Sequence, residues 1–425
     1  MPGERARAAG LSQVFAVAEF RALWGAELIS VAGDQLARVA LSVLVYGRTG
    51  SAAWAAVVYA LTFLPALLGG VLLGGLADRH RRRELMIVVD LLRAVLVGAM
   101  AVPGMPLWAL CTLLVVVVLL ASPHGAAQAA LLPAVLPEGD AYERGMAVRQ
   151  ITNQAVQLLA FTMGGALLLV LSPAAALGLN AVSFVASAVI LRKGVAARDT
   201  PRDDVARSSG RAPATEILRD GARAIRMVLS DPRRRSLLCL VWLVGFYVVP
   251  EGLAAPYATS LGGGPAAIGL LMAADPAGSV LGAFLFTRLV PAERRPRLIG
   301  WLAVAAGLPL AACVLSPNLP VSILLWALTG AFATAYLVQA QASFVRATPD
   351  AQRGRAVGVA ASGLVAAQGL AVLLGGLLAE RWSPTTAVAV CGAAGVVASA
   401  VAGYAWWQAG QERRTAADAG ALECG

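Results

Sequence analysis

Residues 157–165 read QLLAFTMGG, and residues 368–376 read QGLAVLLGG. The two stretches share a Gln, a Leu, an Ala and a Gly-Gly pair at the same spacing. Upstream of them, RGMAV at 144–148 returns as RGRAV at 353–357. An earlier small-residue pattern, Gly70-x-x-x-Gly74, returns as Gly278-x-x-x-Gly282 at nearly the same offset. Repetition at this distance predicts that the chain consists of two copies of one unit.

The composition predicts that this unit lies in a membrane. Of 425 residues, 59% are hydrophobic and only 14% are charged, which leaves too little polar surface for a soluble fold. A helix needs about 20 apolar residues to cross a hydrocarbon layer of about 30 Å, where backbone groups must bond to one another. The sequence contains twelve such runs, which we place at 22–46, 51–76, 84–103, 106–133, 146–171, 174–191, 236–258, 265–289, 298–316, 320–345, 355–379 and 385–407.

Twelve spans put six in each copy, and an even number returns the chain to its starting side. Both copies therefore have the same orientation, as in transporters built from parallel repeats. The sequence predicts an N-terminal half at 1–191, a linker at 192–235, and a C-terminal half with a tail at 236–425. Within the linker, apolar residues occupy one face of a predicted amphipathic helix on the membrane surface, namely Ile217, Leu218, Ala222, Ile225, Val228 and Leu229.

Basic residues predict the orientation. Nearly all of the 34 Lys and Arg residues fall in the termini and in alternate connections, so both termini are expected to be cytoplasmic. The net charge of +10 is then a topology signal, and a nucleic-acid partner is not expected. The first apolar run has span length and carries Asp34 and Arg38, which is not typical of a cleavable signal. The strong excess of Arg over Lys indicates a GC-rich bacterial genome and hence a bacterial cell membrane.

The most specific local motif is GGLADRHRRR at 74–83. It resembles the signature loop of the major facilitator superfamily, which joins the second and third helices. The match covers Gly74, Leu76, Asp78, Arg79 and Arg82, and it departs where Arg81 replaces a second Gly. The resemblance implies a latch in which Asp78 pairs with an Arg and stabilises one of two conformations. The alternative is that the motif only marks the cytoplasmic side.

The resemblance extends along almost the whole chain. Residues 20–24 (FRALW), the Gly33-Asp34 pair and residues 90–93 (DLLR) are similar to bacterial proton-coupled exporters related to macrolide and siderophore exporters. Span 5 departs from the antiporter signature, because Ala160-Phe161 precede the paired glycines where Gly-Pro is usual. The resemblance implies a twelve-helix, all-α membrane fold and proton-driven export of a drug-like or secondary-metabolite solute. Uptake of a small nutrient with protons, and a membrane receptor that transports nothing, remain as alternatives.

Charged residues inside the spans are the candidates for proton coupling, because a charge in a bilayer is expensive unless it is paired or hydrated. The candidates are Asp34, Arg38, Glu251 and Asp275. Asp34 and Asp275 fall near mid-membrane, and Glu251 lies further along span 7. Each has a structural alternative. Asp34 and Arg38 are spaced for pairing on one helix face, Glu251 lies in an outer loop if span 7 ends at Pro250, and Asp275 precedes a proline kink. Asp90 and Arg93 are similarly interpreted as an i,i+3 structural pair.

Uncharged polar residues in the spans predict a largely apolar cavity suited to an amphipathic organic solute. The candidates are His124, Gln128, Asn153, Gln157, Gln339 and Gln368. Hydrogen bonding between helices is the alternative for each of them. His124 is also a possible second titrating group. The five cysteines and two histidines lack metal-ligand spacing. We therefore expect no metal, no cofactor, no enzyme activity and a monomeric chain.

Overall fold

The computed structural model describes residues 13–73, 75–136, 140–198, 214–291, 293–315 and 317–423. These residues form helices joined by short connections, and no strand occurs among them. Contacts divide the chain into two compact units. The first takes in Met1–Gly50, Leu61–Gly210 and Gly264–Ala273, and the second takes in Ser51–Ala60, Arg211–Gly263 and Ala274–Gly425. The predicted boundaries at 191 and 235 remain a prediction.

The helices up to the central connection are α1 (Ala18–Thr49), α2 (Ala52–Ala60), α3 (Leu64–Leu73), α4 (Leu76–Arg79), α5 (Arg82–Met100), α6 (Leu107–Val135), α7 (Asp140–Leu167) and α8 (Pro173–Gly194). Predicted span 2 is therefore interrupted between α2 and α3. The N-terminus of α8 is stabilised by Ser172, whose hydroxyl accepts a hydrogen bond from the backbone N–H of Ala175. Pro173 occupies the first turn, where a missing N–H removes no helical bond.

The remaining helices are α9 (Ala214–Leu229), α10 (Pro232–Trp242), α11 (Val244–Gly252), α12 (Ala254–Ser260), α13 (Pro265–Leu289), α14 (Ile299–Ala311), α15 (Leu319–Ala347), α16 (Asp350–Arg381) and α17 (Pro384–Glu423). Span 7 thus consists of three short helices, α10 to α12. Helix α9 covers the predicted linker helix, and in it Val228 is buried while Arg223 and Arg226 are exposed. Its position on the membrane surface stays a prediction.

Ten helical segments of the described residues are long and apolar enough to cross a membrane. The other two predicted spans, 84–103 and 146–171, coincide with helices α5 and α7. Both helices carry charged or polar residues within the apolar run, including Asp90 and Arg93 on α5 and Arg149 and Asn153 on α7. Their lower hydropathy reflects side chains that face other helices rather than lipid, as described below.

The helix pairs inside each unit follow one pattern. In the first unit, α1 packs against α7 and α8, α5 against α6 and α8, and α3 against α6. In the second, α10 packs against α16 and α17, α14 against α15 and α17, and α13 against α15. When the six spans of each repeat are numbered in chain order, the same pairs occur in both units. Span 1 packs against spans 5 and 6, span 3 packs against spans 4 and 6, and span 2 packs against span 4. This agreement confirms the predicted duplication.

Glycines permit the close contact between the second and fourth spans of each repeat. A Cβ added at Gly278 would overlap the carbonyl oxygen of Ala327, and one at Gly282 would overlap Ala331. In the first unit the equivalent position is Gly69, where a Cβ would overlap Ser122. This glycine precedes the first residue of the repeated Gly70-x-x-x-Gly74 pattern by one position. A Cβ at Gly70 would meet no described heavy atom within 4 Å.

Candidate functional site

Ionisable side chains from three membrane helices of the first unit meet in one cluster. Arg93 of α5 donates through Nη2 to Asp34 Oδ2 of α1 over 2.9 Å. The Arg93 side chain is only 7% exposed, and Asp34 is 35% exposed. Gly33 permits this approach, because a Cβ there would overlap Asn180 and Ser183 of α8. The pair therefore joins a buried cation to a carboxylate that keeps access to its surroundings.

The structural alternative, in which Asp34 pairs with Arg38, is not observed. Although the two residues are one helical turn apart, the guanidinium of Arg38 lies 5.7 Å from the ring centroid of Phe63. The guanidinium of Arg93 is instead shared between Asp34 and the face of Phe184, 4.1 Å from its ring centroid. Packing of α1 and α5 against α8 brings these groups together, so tertiary contact outweighs proximity along one helix.

The expected pairing of Asp90 with Arg93 is also wrong. Asp90 is fully buried, and its Oδ2 accepts a hydrogen bond from the Ser187 hydroxyl over 2.6 Å. Its Oδ1 lies 3.3 Å from Nε2 of His124 on α6. The histidine was predicted to line a substrate cavity, but it faces a buried carboxylate. Protonation of the imidazole at this distance creates an ion pair with Asp90.

The charges of this cluster do not cancel. With Asp34 and Asp90 ionised, Arg93 charged and His124 neutral, the four side chains sum to one net negative charge. A buried net charge is unfavourable because little water is present to solvate it. The cluster therefore contains one more carboxylate than it contains guanidinium groups.

A second network in the same unit surrounds Glu27 of α1. Arg149 of α7 makes a bidentate contact with the Glu27 carboxylate. Its Nε lies 2.6 Å from Oε2, and its Nη2 lies 2.9 Å from Oε1. Gln128 donates to Oε2 and Asn153 donates to Oε1, each over 3.0 Å. Glu27 is 11% exposed and Arg149 is 17% exposed. Because each carboxylate oxygen accepts two hydrogen bonds, this network is a structural link between α1, α6 and α7.

Sequence reasoning missed Glu27 and Arg149. Arg149 lay near the predicted start of span 5 and was counted with the loop charges. A signal for Glu27 was present, since it falls five residues inside the predicted first span. It also lies two helical turns before Asp34 and therefore on the same face of α1. An acid within an apolar span requires a partner on another helix.

In the second unit, Glu251 is 7% exposed and lies near the end of α11. The Tyr59 hydroxyl of α2 donates a hydrogen bond to its Oε2. The chain continues as α12, so the alternative that Glu251 lies in an outer loop is wrong. Asp275 of α13 is partly buried in the same unit. Gly330 of α15 allows this placement, because a Cβ there would approach Asp275 Oδ1 to 2.7 Å.

The predicted cavity residues fall into two groups. Gln128 and Asn153 bind Glu27. Gln157, Gln339 and Gln368 are partly buried, and no hydrogen bond is recorded for their side chains within the described residues. These three amides remain candidates for contacts with a solute.

Two of the four residues of the predicted latch cannot be placed in full. Gly74 and the side chain of Asp78 lie outside the described residues. Arg79 is exposed, and Arg82 donates to the carbonyl oxygen of Ala130 over 2.8 Å. The latch therefore remains a prediction. Among the residues that can be described, no group of three His, Cys, Asp or Glu side chains is arranged to hold a metal ion.

Comparison with known proteins places this arrangement in a family. A model described as "Major Facilitator Superfamily" matches residues 23–250 and 248–422. The "Multidrug efflux pump Tap" of Mycobacterium tuberculosis is 29% identical over 374 residues, covering 84% of this chain and 85% of the relative. "Macrolide efflux protein A" of Streptococcus pyogenes is 27% identical over 124 residues, 28% of this chain and 31% of that protein. A solved "peptide transporter POT in complex with sulfate" superimposes with a TM-score of 0.71 at 15% identity, covering 92% and 95% of the two chains.

Proposed function

Because the chain belongs to the major facilitator superfamily, we propose that it exports a drug-like or secondary-metabolite organic solute by proton-coupled alternating access. Membership of the family makes it a membrane transporter. Export is supported by the efflux pump to which it is 29% identical over most of its length. The superposition on a peptide transporter, at 15% identity, supports the fold and carries no weight for direction.

The observation that carries proton coupling is the cluster of Asp34, Asp90, Arg93 and His124 inside the membrane helices of the first unit. Protonation of Asp34 removes the charge that holds Arg93 at 2.9 Å. Arg93 then keeps its contact with Phe184 and loses its ionic partner. A proton thereby changes which helix α5 is bound to, and a change of this kind shifts the balance between two conformations.

We assign the proton pathway of the second unit to Glu251 and Asp275. Both residues are acids on apolar membrane helices of this unit, where an ionised carboxylate is costly unless it is paired or hydrated. Tyr59 holds Glu251 in position through its hydroxyl. Arg38 lies over Phe63 and has no carboxylate partner among the described residues, so we give it a secondary role. The candidate solute-contacting amides are Gln157 in the first unit and, separately, Gln339 and Gln368 in the second unit.

The distribution of basic residues supports a bacterial plasma membrane location with both termini in the cytoplasm. We propose that the transporter works as a monomer and needs no cofactor. The energy source is the proton gradient, since the sequence has no nucleotide-binding loop.

Cells that produce the protein are expected to accumulate less of an exported dye or antibiotic than cells that carry an empty vector. A protonophore should remove the difference, because the gradient supplies the energy. The measurement is intracellular fluorescence across a panel of amphipathic cations and macrolides. Greater accumulation, reversed by the protonophore, would indicate uptake instead. Equal accumulation of every compound, with the protein present in the membrane, would contradict a transport role for these solutes.

Asp34→Asn is expected to remove proton-dependent transport, a loss of about tenfold or more. Asn cannot ionise, so it cannot release and rebind the proton that controls Arg93. Transport driven by an imposed pH gradient in proteoliposomes measures this directly. Because the single change leaves Arg93 without an anion, Asp34→Asn/Arg93→Gln serves as a neutral-pair variant. We expect this variant to fold and remain uncoupled. Full gradient-driven transport by both variants would exclude Asp34 as a coupling residue.

A further inference from the structure

An aromatic groove lies on the second unit, with a volume of about 1020 Å³. It runs between the start of α14 and the later part of α17. Three exposed aromatic side chains line it, Trp301, Tyr404 and Trp407, with exposed fractions of 76%, 59% and 57%. Soluble surfaces seldom present three large rings this openly. At the ends of membrane helices, however, Trp and Tyr prefer the zone of the lipid headgroups.

The groove is also basic at one end. Arg233 and Arg297 line it together with a single acid, Glu293. The Arg233 guanidinium lies 5.0 Å from the ring centroid of Trp406, whose Nε1 donates to the carbonyl oxygen of Pro296 over 3.3 Å. This stacking fixes a cation beside the aromatic walls. The groove therefore combines an apolar channel with two guanidinium groups, which favours an amphiphile that carries an anionic head.

Small residues form the floor of the groove. Gly300 of α14 and Gly403 of α17 face each other, and a Cβ added to either would lie within 3.0 Å of the other's Cα. The two helices are therefore in contact at this level, and the larger rings stand on both sides of the contact. Ala400 also lines the groove and is exposed, so its methyl group limits the depth without filling it.

We propose that the aromatic groove is a binding site for an anionic phospholipid of the surrounding bilayer. The phosphate of the headgroup binds Arg233 and Arg297, and the acyl chains lie along Trp301, Tyr404 and Trp407. Charge complementarity favours an anionic lipid over a zwitterionic one, because the headgroup of a zwitterionic lipid carries a cation that would be repelled by Arg233 and Arg297. Such a site ties α14 to α17 through a bound lipid and makes the second unit sensitive to membrane composition.

The test uses the full-length protein purified in detergent and mixed with phosphatidylglycerol or phosphatidylcholine of identical acyl chains. Native mass spectrometry counts the lipids retained by each protein molecule. We expect retention of phosphatidylglycerol to exceed that of phosphatidylcholine by about fivefold. Arg233→Gln/Arg297→Gln should reduce it to the phosphatidylcholine level. Arg288→Gln is the matched control, because this exposed Arg also stacks on an aromatic ring, Phe284, but lies outside the groove.

A second variant tests the apolar channel independently of charge. Ala400→Leu narrows the groove without removing a cation, and we expect it to lower phosphatidylglycerol retention while leaving the folded protein intact. Equal retention of the two lipids by the wild type would overturn the proposal. So would unchanged retention of phosphatidylglycerol in both groove variants, or a concentration-dependent dimer that buries these tryptophans.

Discussion

Glu251→Gln is expected to reduce gradient-driven transport to background, a loss of about tenfold or more. Gln has the shape of a protonated glutamic acid, so the substitution fixes the neutral form of the side chain. The Tyr59 hydroxyl can still donate to the amide oxygen, and no charge is added to the buried site. Folding should therefore survive while proton release is lost.

A counterflow assay distinguishes a loss of proton release from a loss of folding or of solute binding. In proteoliposomes without a pH gradient, exchange of labelled for unlabelled solute needs no net proton movement. We expect Glu251→Gln to retain this exchange although it fails to concentrate solute against a gradient. Glu143→Gln makes the same chemical change at an exposed position and should behave as the wild type. If Glu251→Gln concentrates solute at the wild-type rate, the proton is carried elsewhere.

Helix positions could be predicted from the sequence because they depend on one property, the length of an apolar run. All twelve predicted spans contain helix in the structure, although spans 2 and 7 are interrupted. The duplication was visible because the same spans meet in each unit and so need small residues at matching places. Gly278 is such a position, and it packs against Ala327. The contact itself was not visible in the sequence, and in the first unit it is made by Gly69, which lies just outside the repeated pattern.

The partners of the charged side chains could not be predicted in the same way. Spacing along one helix favoured Asp34 with Arg38 and Asp90 with Arg93, since those distances follow from helix geometry alone. The observed pairs, Asp34 with Arg93 and Asp90 with His124, depend on how far each helix is rotated about its axis. That rotation is set by packing contacts such as Gly33 against α8, which a single sequence does not reveal.

Arg149→Ala is expected to destabilise the folded transporter by about 3–5 kcal/mol, which is the usual effect of removing one partner from a buried ion pair. Glu27 would keep its bonds to Gln128 and Asn153, but its negative charge would have no cation within the helices. Unfolding in detergent, followed by circular dichroism against increasing denaturant, measures the change. Arg226→Ala removes an exposed Arg of α9 and should alter stability by less than about 0.5 kcal/mol.

The double variant Glu27→Gln/Arg149→Met distinguishes a charge effect from a packing effect. A neutral Gln can still accept hydrogen bonds from Gln128 and Asn153, and Met fills the volume of the Arg stem without a charge to satisfy. Since no unpaired charge remains, we expect the double variant to be more stable than Arg149→Ala by about 1–3 kcal/mol. Equal losses in the two proteins would mean that Arg149 acts through packing of its stem against α1 and α6. The bidentate contact between Arg149 and Glu27 would then contribute little to stability.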